Sequence, residues 1–249
     1  MTKINDLLAS YPRSRPALSP NHEKIYRHEY KAALDGETFF TALSRRVDGW
    51  MHRRVAVGAG TGATLELGAG NLNHLSYETR GWDLSSYDIV EPQEYLYQHH
   101  TDIPSIRNVY NDIDQVPDGN KYRRIISIAV LEHVQNLPTT VARCALRLQQ
   151  NGTFQHGFPS EGGILWGAAW RLTTGLSYRI RTGLSYRVVM RHEHINTAPE
   201  IVSIINHFFN NVHLKRFPLP FFHGSLFTHI HATNPKIGVC EEHLANQKL

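Results

Sequence analysis

The stretch Thr64-Leu65-Glu66-Leu67-Gly68-Ala69-Gly70-Asn71-Leu72 carries a short apolar run into an acidic residue and then through two glycines. A second apolar run that also ends in an acid follows it, Tyr87-Asp88-Ile89-Val90-Glu91-Pro92. A strand, a glycine turn and a second strand tipped with a carboxylate form the arrangement by which an α/β sheet binds a nucleoside. The glycines let the backbone approach the ligand, and the carboxylate accepts hydrogen bonds from ribose hydroxyls. At such a strand tip the Glu91 carboxylate is expected to be solvated when no ligand is bound. The glycine-rich run Gly58-Ala59-Gly60-Thr61-Gly62-Ala63 lies just upstream, but it precedes the first strand, whereas a phosphate-binding loop must follow one. Residues 58–63 read as a flexible linker.

The position of the first acid separates two cofactor classes. A dinucleotide fingerprint needs a third glycine to pack its helix against the strand; counting from Gly68, the fourth and sixth positions are Asn71 and Asn73. Glu66 would repel a diphosphate at the turn and attract a cationic amino-acid tail. The acid-x-Gly-x-Gly pattern resembles motif I of the class I S-adenosylmethionine-dependent methyltransferases. That resemblance implies contacts from Glu66 to the methionine moiety, from Gly68 and Gly70 along the turn, and from Glu91 to the ribose hydroxyls. Where the family often carries a third glycine, this chain has Leu72.

The rest of the chain extends the resemblance from about residue 60 to about residue 233. The runs 106–110, 124–130 and 153–158 read as three more strands separated by helical segments, with the near-continuous apolar run at 124–130 as a central parallel strand. Thr197-Ala198-Pro199-Glu200 is a capping box that opens a helix through Phe208, and strands at 212–217 and 226–232 follow it. The expected fold is a doubly wound, mostly parallel, seven-stranded Rossmann-like sheet with an N-terminal helical cap. Residues 1–60 form the helical lead-in, with Gly36 breaking one helix and Phe39 starting the next; residues 61–235 form the cofactor-binding domain, and 236–249 a C-terminal tail.

After the fourth strand comes Leu131-Glu132-His133, resembling a group of class I methyltransferases that act on small molecules, lipids, quinones or sugars. Cofactor contacts are expected at Leu131 and, following the third strand, at Asp112 and Ile113, where the family places an acid against the adenine amino group. His133 is a candidate base for a substrate hydroxyl, because imidazole titrates near neutrality. His194, just before the capping box, is a second. Glu132 and His133 can instead serve only to shape the loop beneath the cofactor, since transfer from a sulfonium has a good leaving group and positioning carries much of the rate.

Residues 160–191 contain a repeat, Thr174-Gly175-Leu176-Ser177-Tyr178-Arg179 echoed by Thr182-Gly183-Leu184-Ser185-Tyr186-Arg187. The segment is expected to be a loop that acts as a lid over the acceptor, with peripheral membrane contact through Ile164 to Trp170 as the alternative. Sixteen histidines include the pairs His192/His194 and His229/His231, but no cysteine or carboxylate cluster completes a metal site in sequence, and none is expected.

With 41% hydrophobic residues the chain can bury a core, and a net charge of +4 without clustered basic runs argues against a nucleic-acid partner. Asn/Asp-Pro-Pro-aromatic and Pro-Cys nucleophile motifs of nucleic-acid methylation are absent. Two cysteines, a polar N-terminus and no run of about 20 apolar residues point to the cytoplasm. The expected activity is O-methylation of a small molecule, lipid or glycan precursor. A nicotinamide-dependent Rossmann oxidoreductase and an inactive cofactor-binding module are the alternatives.

Overall fold

A computed structural model describes residues 2–34, 42–57, 62–78 and 83–247. The break expected at Gly36, the helix start at Phe39 and most of the linker 58–63 lie outside the described residues. The chain forms one seven-stranded sheet in the order β3-β2-β1-β4-β5-β7-β6. Strands β1 (Thr64–Leu67), β2 (Tyr87–Val90), β3 (Asn108–Tyr110), β4 (Tyr122–Ile128) and β5 (Leu148–Pro159) run parallel. Strands β6 (Phe209–Pro218) and β7 (Ser225–Pro235) form an antiparallel pair that closes the sheet against β5. All four residues of β1 and of β2 are buried, which is why these strands read as apolar runs rather than alternations. Strand order reverses between β1 and β4, so a crevice opens beyond their carboxyl ends, where open α/β sheets bind ligands.

Helices cover both faces. On one face α5 (Leu137–Leu146), α9 (Ala198–Phe208) and α10 (Ile237–Asn246) share a core with Leu65, Leu67, Ile125 and Phe154. Helix α9 buries Ile201, Ile204, Ile205 and Phe208, each worth about 1.5–3 kcal/mol, and its expected capping box is present between Thr197 and Glu200. On the other face α3 (Ala42–Ala56) lies on β4, β5 and β7. Gly157 permits this approach, because a Cβ there would come within 2.7 Å of Met51 Cβ. A second core on this face joins Val55 to Leu72, Leu75, Ile89 and Ile126.

Helices α1 (Thr2–Ala9) and α2 (Pro20–Leu34) pack against α9 and against α8 (Tyr186–Glu193) respectively. Tyr11 Oη donates to Asn196 Oδ1 at 2.7 Å, and Arg13 pairs with Glu200 at 2.7 Å, so the N-terminal segment is tied to the loop before α9.

Several boundaries differ from the sequence expectation. The helical segments between the first strands are short, a 3-10 turn, Asn73–Tyr77, after β1 and a single turn, α4 (Glu94–Tyr97), after β2. The expected tail contains α10, whose Val239, Cys240 and Leu244 make an apolar stripe, with Cys240 fully buried.

The segment 160–191, expected as a loop, is mostly helical. Helix α6 (Ile164–Trp170) continues through a π-turn at Arg171–Gly175 into α7 (Leu176–Thr182). The two repeat copies behave differently. Gly175 stays within the helical run, whereas Gly183 adopts φ +71° and ends α7 as a left-handed cap.

Candidate functional site

The turn after β1 is built on left-handed backbone. Gly68 has φ +61°, Gly70 φ +55° and Leu72 φ +60°. Leu72 thus holds in a leucine the conformation that a third glycine would adopt without cost, at an expense of roughly 1–2 kcal/mol offset by full burial of its side chain. Gly68 N–H donates to the Val90 carbonyl at 2.7 Å, which locks the turn to the end of β2. A Cβ on Gly68 would meet Val130 Cγ2 at 2.5 Å, whereas a Cβ on Gly70 would meet nothing within 4 Å. One glycine is required by packing, and the other borders open space.

Glu91 is buried, not solvated as its strand-tip position suggested. Its Oε2 accepts the Gly70 N–H at 2.9 Å and its Oε1 accepts the Gln93 N–H at 3.0 Å. The carboxylate and the glycine turn are therefore one hydrogen-bonded unit at the mouth of the crevice. Glu66 lies on the same strand as the turn, with its carboxyl inside the protein. Oε2 accepts the Tyr87 hydroxyl at 2.8 Å, beside a buried set in which Glu78 pairs with His74 at 2.8 Å and with Arg124 at 2.6 Å. Burial pushes the Glu66 carboxyl above the usual carboxylate range, with His74 opposing. Asp112 is exposed and caps the 3-10 turn Ile113–Gln115 through the Asp114 N–H at 2.9 Å; Ile113 is buried in the core.

The Leu-Glu-His signature forms a 3-10 turn, Leu131–His133, directly beyond β4, entered through Ala129 at φ +55°. Leu131 is fully buried, and its carbonyl accepts Asn196 Nδ2 at 2.8 Å. The Glu132 carbonyl accepts the N–H groups of Ile195 and Asn196, which fastens the loop after α8 to this turn. That attachment brings the two candidate bases together. The rings of His133 and His194 meet edge to face with centroids 5.0 Å apart.

Each imidazole is oriented through Nδ1. His133 Nδ1 bonds the Glu193 carbonyl at 2.8 Å, and His194 Nδ1 bonds Glu161 Oε2 at 2.9 Å. Trp166 Nε1 donates to the same Glu161 oxygen at 2.6 Å. Burial raises the Glu161 pKa, but the bonds from His194 and Trp166 outweigh it and hold this carboxyl below its ordinary range.

Sequence reasoning missed Glu161 and Asn196 in this constellation, and expected Trp166 only as part of the 160–191 lid. Glu161 had a signal, since it closely follows an apolar strand as Glu91 does. Asn196, fully buried, had none. The His192/His194 pair does not lie on a strand. It ends α8, and His192 Nδ1 bonds the Pro16 carbonyl instead.

No family model matches the chain, and no curated protein matches it. Solved structures do. A SAM-dependent methyltransferase of Thermotoga maritima aligns at TM-score 0.52 and 11% identity, over 86% of this chain and 97% of that one. The N-methyltransferase NodS of Bradyrhizobium japonicum WM9, solved with S-adenosylhomocysteine, aligns at TM-score 0.50 and 12% identity, over 80% and 90%. An O-methyltransferase family protein of Burkholderia thailandensis aligns at TM-score 0.50 and 12% identity, over 94% and 67%. These neighbours differ in acceptor atom and share an architecture: the fold of this chain is that of the class I S-adenosylmethionine-dependent methyltransferases.

Proposed function

We propose that the chain is an S-adenosylmethionine-dependent methyltransferase acting on an oxygen of a small molecule, lipid or glycan precursor. The observation that carries this reading is the unit made by Glu91 and the Gly68–Gly70 turn, set at the switch point of the sheet with open space beside Gly70. Glu91 would take the ribose hydroxyls, Asp112 and Ile113 would border the adenine, and Leu131 would floor the pocket. Glu66, its carboxyl held inside the protein by Tyr87, would act on the methionine end only by supporting the strand that carries the turn. When bound, S-adenosylmethionine supplies a methyl group on a sulfonium, a leaving group that needs no protonation.

The chain's own part is to place the acceptor and remove its proton. His194 is the better base, since Glu161 holds its Nδ1 proton, leaving Nε2 to take a hydroxyl proton, and steadies the resulting imidazolium. His133, with Nδ1 on the Glu193 carbonyl, presents its Nε2 beside it. Trp166 on α6 stacks near His194, with ring centroids 6.3 Å apart, which supports a covering role for 160–191.

Among the acceptor classes, the outer surface of this cover favours a lipid presented at an anionic membrane. Ile164, Leu172, Leu176 and Ile180 are 69%, 73%, 51% and 75% exposed along the α6–α7 run. Residues 162–192 contain five arginines and no acid. Arg171, Arg179 and Arg187 line a cleft of about 270 Å³ with Trp170 and Tyr186, the chemistry that receives a phosphate headgroup. No helix among the described residues is long and apolar enough to cross a membrane.

Two experiments test the reading. Methyl-labelled cofactor is incubated with the protein and with lipid, glycan and small-molecule fractions, and label in an ether or ester of a lipid is the expected product. Label only on nitrogen or carbon overturns O-methylation. Sedimentation with phosphatidylglycerol vesicles should capture the wild type and lose Leu172→Asp/Ile180→Asp; equal capture of both, or self-association in place of vesicle binding, overturns the membrane surface.

A further inference from the structure

We propose that Glu132, His133 and His194 hold a divalent transition-metal ion at the acceptor end of the crevice. A ligating atom from each lies within 4.8 Å of the others. Three independent features single this cluster out. Both imidazoles already commit Nδ1, to the Glu193 carbonyl and to Glu161, which fixes the tautomer and turns each Nε2 lone pair free for a ligand. Metal-binding histidines are oriented in this way by carbonyls and carboxylates behind them. Glu132 is 1% exposed, and its Oε2 has no hydrogen-bond partner. A buried carboxylate oxygen without a donor is costly to leave bare, and a cation compensates it. Finally, the donors are nearly at coordination spacing. His133 Nε2 and Glu132 Oε1 stand 3.8 Å apart. Metal–ligand bonds of about 2.0–2.2 Å bring donors to roughly 3–3.5 Å, a difference side-chain torsions close.

Two imidazoles and one carboxylate suit zinc, manganese or iron rather than magnesium or calcium, and they leave coordination positions open. The proposal deepens the methyltransferase reading. With the ion on Nε2 of His194, the ion takes over that imidazole's part as base: an acceptor hydroxyl bound to it would lose its proton to solvent more readily, and its oxygen would then attack the methyl carbon as the carbon–sulfur bond breaks. Glu161, behind His194, becomes a positioning residue for the ligand.

The test uses the full chain stripped with chelator and dialysed. Zinc is titrated by calorimetry and manganese by electron paramagnetic resonance. One site per chain is expected, weakened at least tenfold by Glu132→Gln or His194→Ala and about 10–100-fold by Glu161→Gln. His229→Ala, on β7 and outside this cluster, should leave it unchanged.

On the wild type, zinc should shield His133 and His194 from diethylpyrocarbonate, which keeps the test decisive if a variant fails to fold. Absence of binding, binding indifferent to Glu132 and His194, or no shielding of these two histidines overturns the site. S-adenosylhomocysteine binding is measured separately. Metal binding without it sinks the methyltransferase reading and spares the site, and the converse sinks the site alone.

Discussion

Substituting alanine at each of the two turn glycines separates packing from ligand binding. Gly68→Ala places a Cβ at φ +61°, and that atom would lie 2.5 Å from Val130 Cγ2 and 2.9 Å from Cγ1. The left-handed conformation costs a non-glycine residue roughly 1–2 kcal/mol, and overpacking adds about 1–3 kcal/mol. Together they should destabilise the chain by about 2–5 kcal/mol, lowering Tm by roughly 5–15 °C for a chain of this size. Gly70→Ala meets no atom within 4 Å, so only the backbone term remains, about 1–2 kcal/mol. If the open space beside Gly70 receives the cofactor, however, the new methyl group intrudes on it. Urea melts with calorimetric titration of S-adenosylhomocysteine read both effects. Gly70→Ala should keep most of its stability and lose at least tenfold in affinity. Wild-type affinity in Gly70→Ala, or equal destabilisation by the two substitutions, refutes the reasoning.

Other outcomes follow from the same geometry. Glu91→Ala strips the acceptor from two backbone N–H groups, so it should cost about 1–3 kcal/mol of stability as well as roughly 1.5–3 kcal/mol of cofactor affinity, measured by urea melt and calorimetry. Asn196→Ala leaves the Leu131 and Val134 carbonyls and the Tyr11 hydroxyl without their partner, and a loss of roughly 3–5 kcal/mol is expected in a chemical melt. Burial, with neighbouring histidines and an arginine, lowers the pKa of His52 and of His229 to about 4. The unfolded chain therefore binds more protons than the folded one between about pH 6.5 and 4, so stability is complete above this window and declines as pH falls through it, by up to about 1.4 kcal/mol per pH unit for each residue. Melts across that range should show less decline in His52→Gln.

The parts legible in sequence are those whose physics is local. β1, β2 and the Ile125–Ile128 part of β4 are parallel strands buried on both faces, so their burial is written as mainly apolar runs. The Thr197–Glu200 box is a contact within one helical turn. What escaped depends on partners distant in sequence. The burial of Glu91 comes from an N–H donor 21 residues away, and composition records nothing of it. The meeting of His133, His194 and Glu161 depends on backbone bonds from Ile195 and Asn196 to Glu132. The helices of 160–191 were hidden by glycines whose roles diverge, Gly175 within the run and Gly183 ending it. Helix α10 has a short stripe that gains meaning only against α5 and α9.

Calorimetric titration of S-adenosylhomocysteine, with NAD in parallel, tests the central claim most directly. The account predicts one saturable site for S-adenosylhomocysteine, a raised Tm on binding, a large loss of affinity in Glu91→Ala, and no heat from NAD. Saturating S-adenosylhomocysteine with neither heat nor thermal shift, or NAD bound in its place, would contradict it.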